Sequence, residues 1–371
     1  MPSPWLVIMV VTRGIRRVVF AVPRPTGIMR VMTVHELRDL FRLPVVVAPM
    51  AGGPSNPALV AAAAEAGALG FLAGGYKTAD ALVAEIAEVQ AQTTGPFGVN
   101  LFVPGDRSAE PERVAAYVTS LAGDALATGG AVGDPVWDDD GWADKLAAVL
   151  ATAPPLVSFT FGCPPPEVVA GFRAAGTAVA VTVTSPAEAQ AAAAADADLL
   201  CVQGMEAGAH RGTFSNSDAP GQDYGLLSLI GEVARVTGLP QIAAGGIVST
   251  AQVRAVLAAG AVAAQCGTAF LRCPESGAHP THKAALVSPR YTVTAITRAF
   301  SGRPARGLLN RFMLGHADAP AAYPEINNAT RGLRAAAARA GDTDRMSLWA
   351  GQGFRSATNR PAADVIEMLA R

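Results

Sequence analysis

Charge, cysteine, histidine and long hydrophobic runs are all scarce in this chain of 371 residues, and each scarcity excludes something. Charged residues make up 16% of the chain and the formal net charge is −1. There is thus no basic excess of the kind that tracks a phosphate backbone, and nucleic acid is not an expected partner. The four cysteines, Cys163, Cys201, Cys266 and Cys273, have no close paired spacing, and three lie in or beside apolar runs. That pattern fits reduced thiols in a cytoplasmic protein better than a disulfide framework or a zinc site, and no metal is expected. The apolar run from Trp5 to Val11 is too short to span a bilayer, and Arg13, Arg16 and Arg17 follow it, the reverse of a secretory signal. No membrane partner is expected, and residues 1–28 read as an N-terminal extension outside the working fold.

What the chain does have is a rhythm of short apolar runs. Eight recur: VVVAPM (45–50), LGFLAG (69–74), FGVNLF (97–102), LVSFTFG (156–162), AVAVTVT (178–184), LLCVQG (199–204), QIAAGG (241–246) and VAAQCGTAF (262–270). They are near-continuous rather than alternating, as parallel strands buried on both faces should be. Between them lie helix-like segments such as NPALVAAAAEAGA and STAQVRAVLAAGA, several opening on Ser, Thr or Asn and closing at Gly. Alternation of this kind gives an α/β class, and eight units predict a (β/α)8 TIM barrel, with a doubly wound sheet as the alternative. Two connections are long. Residues 103–155 carry an extra amphipathic helix and the acidic loop GDPVWDDDGW, and residues 205–240 carry MEAGAHRG and a polar run. Both leave the C-terminal ends of strands, where barrel active sites lie. The polar stretch from 273 to about 340 reads as a small accessory, mainly helical domain over the C-terminal mouth. The expected division is a barrel over 29–285, an accessory domain over 286–345 and a segment over 346–371 that returns to the barrel.

Candidate site residues cluster at the predicted strand ends. His210 is one of only five histidines and sits in a Gly-rich turn without apolar periodicity, so it is the first functional candidate; a loop histidine bonded to backbone or solvent is the plainer alternative. Gly245, Gly246, Gly267 and Thr268 close the last two strands, where backbone N–H groups of barrels often meet phosphate. Those glycines could equally relieve crowding at tight turns. Asn100 and Gln203 are amides inside apolar strands and need partners, either the edge of a flat heteroaromatic ring or the backbone. His35, His279, His282 and His316 read as surface or structural. Arg303 and Arg306 could steer an anion or be structural.

The segments APMAGGPSNPALVAAAAEAGALGFLAGG, FGVNLF, VSFTFGCP, VQGMEAGAHRG, IAAGGI, QCGTAFL, TRAFSGRPARGLLNRF and WAGQG, in this order from about 43 to 353, resemble the nitronate monooxygenases, formerly 2-nitropropane dioxygenases. The resemblance implies non-covalent FMN and oxidation of alkyl nitronates or nitroalkanes by O2 to carbonyl compounds and nitrite. It implies His210 as the catalytic base, expected near its unperturbed pKa of about 6.5. Around the flavin it implies Gln203, Gly208, Asn100, Ala48, Pro49 and Met50, with the FMN phosphate on Gly245 or Gly246 and on Gln265, Cys266, Gly267 and Thr268. One position departs from the family pattern: Ala209 stands where Gly is usual. A flavin-dependent enoyl-acyl-carrier-protein reductase using NAD(P)H is the nearest competing reading, and a non-catalytic barrel that binds a phosphorylated ligand is a remote one. The oligomeric state is left open.

Overall fold

The computed structural model describes residues 40–217 and 223–371 in full, with the backbone of two N-terminal strands, β1 (Leu6–Thr12) and β2 (Ile15–Ala21). β1 and β2 pair with each other, antiparallel, and with no other strand. The expectation for His35 lies outside the described residues.

Each of the eight apolar runs forms a strand: β3 (Val45–Val47), β4 (Leu69–Ala73), β5 (Phe97–Phe102), β6 (Leu156–Thr160), β7 (Ala178–Val183), β8 (Leu199–Gln203), β10 (Gln241–Ala244) and β11 (Ala263–Cys266). They pair in parallel and close into a barrel, β11 meeting β3 at Ala264↔Val45 and Cys266↔Val47. The near-continuous apolar character has its reason in two cores. Val46, Leu69, Phe71, Leu156, Leu199 and Ile242 fill the barrel interior, while Val45, Val47, Leu200 and Val202 face the surrounding helices. Most strands stop earlier than their apolar runs. After Val47 the chain leaves the ladder as Ala48–Pro49–Met50, and after Cys266 it turns into the short 3-10 helix Thr268–Phe270.

The helices begin where the caps predict. Asn56, Ser185 and Ser249 each accept a main-chain N–H from the third residue on, at Leu59, Glu188 and Gln252, satisfying donors that a helix start leaves open. The amphipathic stretch after β5, expected as one helix, is two: Pro111–Ser120 and Ala122–Thr128, broken at Leu121.

Over the mouth lies a layer made mostly of helices, with Glu325–Ala340 the longest. A three-stranded antiparallel sheet is seated in it: β12 (Thr294–Thr297), β13 (Ala305–Leu308) and the two-residue β9 (Ala209–His210). Val114, Tyr117 and Leu121 from the third connection share an apolar cluster with Phe300, Phe312, Ile326 and Leu333, so this layer draws on two separate parts of the chain. The C-terminal helix Ala362–Ala370 packs Val365 and Ile366 into the same outer core as Leu59.

Candidate active site

A cavity of about 510 Å³ opens at the C-terminal ends of the strands, within the roughly 300–1,000 Å³ usual for small-molecule sites. Ala48, Pro49, Met50, Asn100, Gln203, Gly208, His210, Gly245, Gly246, Gln265, Gly267 and Thr268 all line it. Cys266 does not: its side chain is buried in the outer core, and only its carbonyl serves the mouth, accepting the Ala48 N–H at 3.0 Å. Burial also pushes the Cys266 thiol up to about 12.

His210 is placed by β9, which pairs with β13 at Ala305↔His210 and Arg306↔Ala209. Its Nε2 is 2.8 Å from Ser301 Oγ. The Ser301 hydroxyl donates to the Arg303 carbonyl at 3.2 Å, so the network assigns the ring hydrogen to Nε2 and leaves Nδ1 as the basic atom. Phe161, Tyr323 and Trp349 pack around the ring with centroids 5.8, 5.6 and 5.6 Å away. Part of the ring faces the cavity, yet the setting is dry. Burial first, then the charges of Arg303 and Arg334, push its pKa down to about 3. The expectation of a histidine near 6.5 is corrected here, because a loop position that looked exposed in sequence is roofed by the accessory layer.

The turn before His210 is tightly constrained. A Cβ on Gly208 would stand 2.4 Å from the Gly351 nitrogen and 2.5 Å from the Ala350 carbonyl carbon. Ala209 has φ +63°, in the left-handed region that glycine tolerates and alanine does not favour.

The two strand amides are largely committed internally. Gln203 donates from Nε2 to the His210 carbonyl (3.1 Å), and its Oε1 accepts from Gly212 N (2.8 Å) and Arg211 Nη1 (3.2 Å). It therefore holds the His210 loop closed on itself. Asn100 donates from Nδ2 to Ser158 O and Oγ and to Thr160 Oγ1, which leaves its Oδ1 outside these bonds. Arg303 and Arg306 brace the same loop. Arg303 donates to the carbonyls of Arg211 and Thr213, and Arg306 Nε to the carbonyl of Met205.

The loops after β10 and β11 offer donors. Among the described residues, the N–H groups of Gly246, Gly267 and Thr268 go to no main-chain or side-chain acceptor. Gly246 has φ +68°, and a Cβ there would stand 2.9 Å from Glu206 Cβ. The Thr268 hydroxyl accepts the Gly351 N–H at 2.9 Å, so its own hydrogen is free to be donated outward. A phosphate fits this cradle on the chemistry of its donors.

Two cationic residues of the lining, Arg331 and Arg334 on helix Glu325–Ala340, escaped the sequence reading, as did Tyr76, Phe161 and Trp349. Arg334 is fixed by Thr330 Oγ1 and by both oxygens of Asn327. Among the described residues, no carboxylate lines the cavity. His279 and His282 also line it. His282 lies against the Trp349 carbonyl at 3.0 Å, and burial pushes its pKa down to about 4. Among the described residues no group of three or more His, Cys, Asp or Glu is placed to hold a metal, and no helix is long and apolar enough to cross a membrane.

A family model described as nitronate monooxygenase matches residues 35–371. A nitronate monooxygenase of Pseudomonas aeruginosa is 40% identical over 346 residues, covering 88% of this chain and 95% of its own. One from Paraburkholderia phytofirmans is 38% identical over 336 residues, with 88% and 91% covered. Among solved structures, a nitroalkane oxidase from Streptomyces ansochromogenes superposes with a TM-score of 0.88 at 52% identity, covering 90% of this chain and 96% of its own. FabK from Thermotoga maritima superposes with 0.68 at 27% identity, covering 92% and 95%.

Proposed function

Since the chain belongs to the nitronate monooxygenase family, we propose that this cavity is where it oxidises nitronates and nitroalkanes with O2, yielding carbonyl compounds and nitrite. The chain is a flavoenzyme by family. We assign the flavin as FMN, held without a covalent bond. Its single terminal phosphate matches the donor cradle formed by Gly246, Gly267 and Thr268, and the sequence carries no second, dinucleotide fingerprint. Ala48, Pro49 and Met50 would border the ring system, and Asn100 would turn its remaining acceptor toward it. The chemistry a flavin supplies in such a site is redox: it takes electrons from an electron-rich nitronate and passes them to O2.

The single observation that carries this reading is the charge of the lining. Arg331 and Arg334 face a cavity that, among the described residues, no carboxylate lines, which suits an anionic nitronate and an anionic phosphate together. A nitronate needs no base. A neutral nitroalkane does, and His210 Nδ1 takes its α-proton. A pKa of about 3 keeps the imidazole neutral but weakens it as a base, and it is the negative charge developing on the substrate beside it that favours the imidazolium as the proton moves. Phe161, Tyr323 and Trp349 keep water from the reacting atoms.

Heating the purified protein to release its cofactor, and weighing what comes off, tests the assignment. FMN is expected in near-stoichiometric yield. A colourless protein that cannot be reconstituted with FMN would overturn the reading.

A further inference from the structure

Four aromatic rings form a closed circuit beside His210. Tyr76 meets Phe102 at 5.5 Å between centroids, Phe102 meets Phe161 at 4.6 Å, and Phe161 meets Tyr323 at 5.4 Å. The Tyr323 hydroxyl closes the circuit by donating to the Tyr76 hydroxyl at 3.1 Å. On one side of the circuit lies the inner cavity. On the other lies a second pocket of about 360 Å³, bordered by Lys77, Val103, Pro104, the 138–141 loop and Pro324. Tyr76 and Phe102 line both spaces, as do Asn327 and Arg331 of the helix Glu325–Ala340 beside them.

We propose that this four-ring wall sets the length of alkyl chain the enzyme accepts, confining the native substrate to short nitro compounds. The outer pocket is then the space a longer chain would enter if the wall were opened. The proposal rests on the inner cavity being the nitronate site.

The wall is held shut from several directions. Tyr76 has φ +68°, a conformation that a bulky side chain adopts only under constraint. The constraint is visible: its N–H donates to Asp140 Oδ1 at 2.9 Å, and Asp140 is ion-paired at 2.6 Å to the buried Lys145. Strain at Tyr76 thus places its ring in the gap. Behind Phe161, the Arg303 guanidinium lies 4.1 Å from the ring centroid and is itself tied to two carbonyls. Burial raises the pKa of both tyrosines, so the hydroxyl contact persists at neutral and mildly basic pH. Around His210 the other neighbours, Ser301 and Trp349, are anchored as well, the first by Arg303 and the second by His282. An alkyl chain growing from a carbon beside His210 toward Tyr323 or Phe161 meets a ring within about one side-chain diameter.

The test compares kcat/KM for the nitronates of nitroethane, nitrobutane and nitrohexane in the parent and in Tyr76→Gly, with flavin content and melting temperature recorded for each. Glycine suits the backbone at this position and removes the ring. Because a pocket edge discriminates a single methylene by roughly 10–200-fold, the nitrohexane-to-nitroethane ratio should rise at least about tenfold in Tyr76→Gly. In Tyr76→Phe, which keeps the ring and loses the hydroxyl, the rise should be much smaller. Phe102→Ala opens the wall from its other side and carries the test if Tyr76→Gly does not fold. An unchanged ratio in a folded, flavin-loaded opened variant overturns the wall while leaving the activity standing. No turnover of any nitronate by the parent overturns the activity and the wall with it.

Discussion

In the proposed reaction His210 would act as a neutral imidazole whose Nε2 is held by Ser301, leaving Nδ1 as the acceptor. If Nδ1 takes the α-proton, replacing His210 by Asn should lower turnover of a neutral nitroalkane by about 10²–10⁴-fold and affect its nitronate far less. Equal, large losses on both substrates with flavin retained would instead mean that the side chain anchors the nitro group. Next to it, Ala209 keeps a left-handed backbone that costs an L-residue roughly 1–2 kcal/mol. Ala209→Gly should therefore raise the melting temperature by a few degrees, less the entropy that glycine loses on folding; a lower melting temperature would show that the methyl packs favourably. Position and residue type marked His210, Asn100 and the strand-end glycines as candidates, and the fold brings them to one cavity. The depressed pKa of His210 was not legible, because it comes first from burial under the mouth layer and then from Arg303 and Arg334, 93 and 124 residues away along the chain. For Gln203 the sequence left a ring edge and the backbone both open, and its amide meets Arg211, Gly212 and the His210 carbonyl.

Among the elements, the C-terminal strap 349–353 ties the site together. Ala350 N donates to the Arg306 carbonyl, Gly351 N to the Thr268 hydroxyl, and Gln352 N to the Glu206 carbonyl. It thereby links the His210 loop, β13 and the proposed phosphate loop. With Gly351 filling one lone pair of Thr268, the hydroxyl hydrogen is left for the proposed cradle. A charge-assisted bond of about 1.5–3 kcal/mol makes Thr268→Val about 10–100-fold weaker for FMN by fluorescence titration, with Thr268→Ser close to the parent. Equal affinities would remove Thr268 from the cradle. All eight barrel strands were legible because parallel strands buried on both faces leave unbroken apolar runs. The sheet over the mouth was not: β9 is two residues long, and β12 and β13 are four each, too short for a period to register.

At the scale of the whole molecule, the buried histidines couple stability to pH. His210 and His282 have folded pKa values pushed down to about 3 and about 4, below the roughly 6.5 of an unfolded histidine. The unfolded chain therefore binds more protons in the interval, and the stability present above pH ~6.5 is lost as pH falls toward the folded values. The melting temperature should be level above about 6.5 and decline below it, with a shallower decline in His282→Gln; an equal slope in that variant would assign the decline to other groups. The barrel, its mouth layer and a cavity lined by Arg331 and Arg334, with no lining carboxylate among the described residues, together suit an enzyme that takes electrons from an anion. Mixing the oxidised, flavin-loaded protein anaerobically with a nitronate, and separately with NADH or NADPH, tests this most directly by the visible spectrum. Prompt bleaching of the flavin by the nitronate is expected, with little or none by either nicotinamide. Prompt bleaching by a nicotinamide, with the nitronate inert, would contradict it.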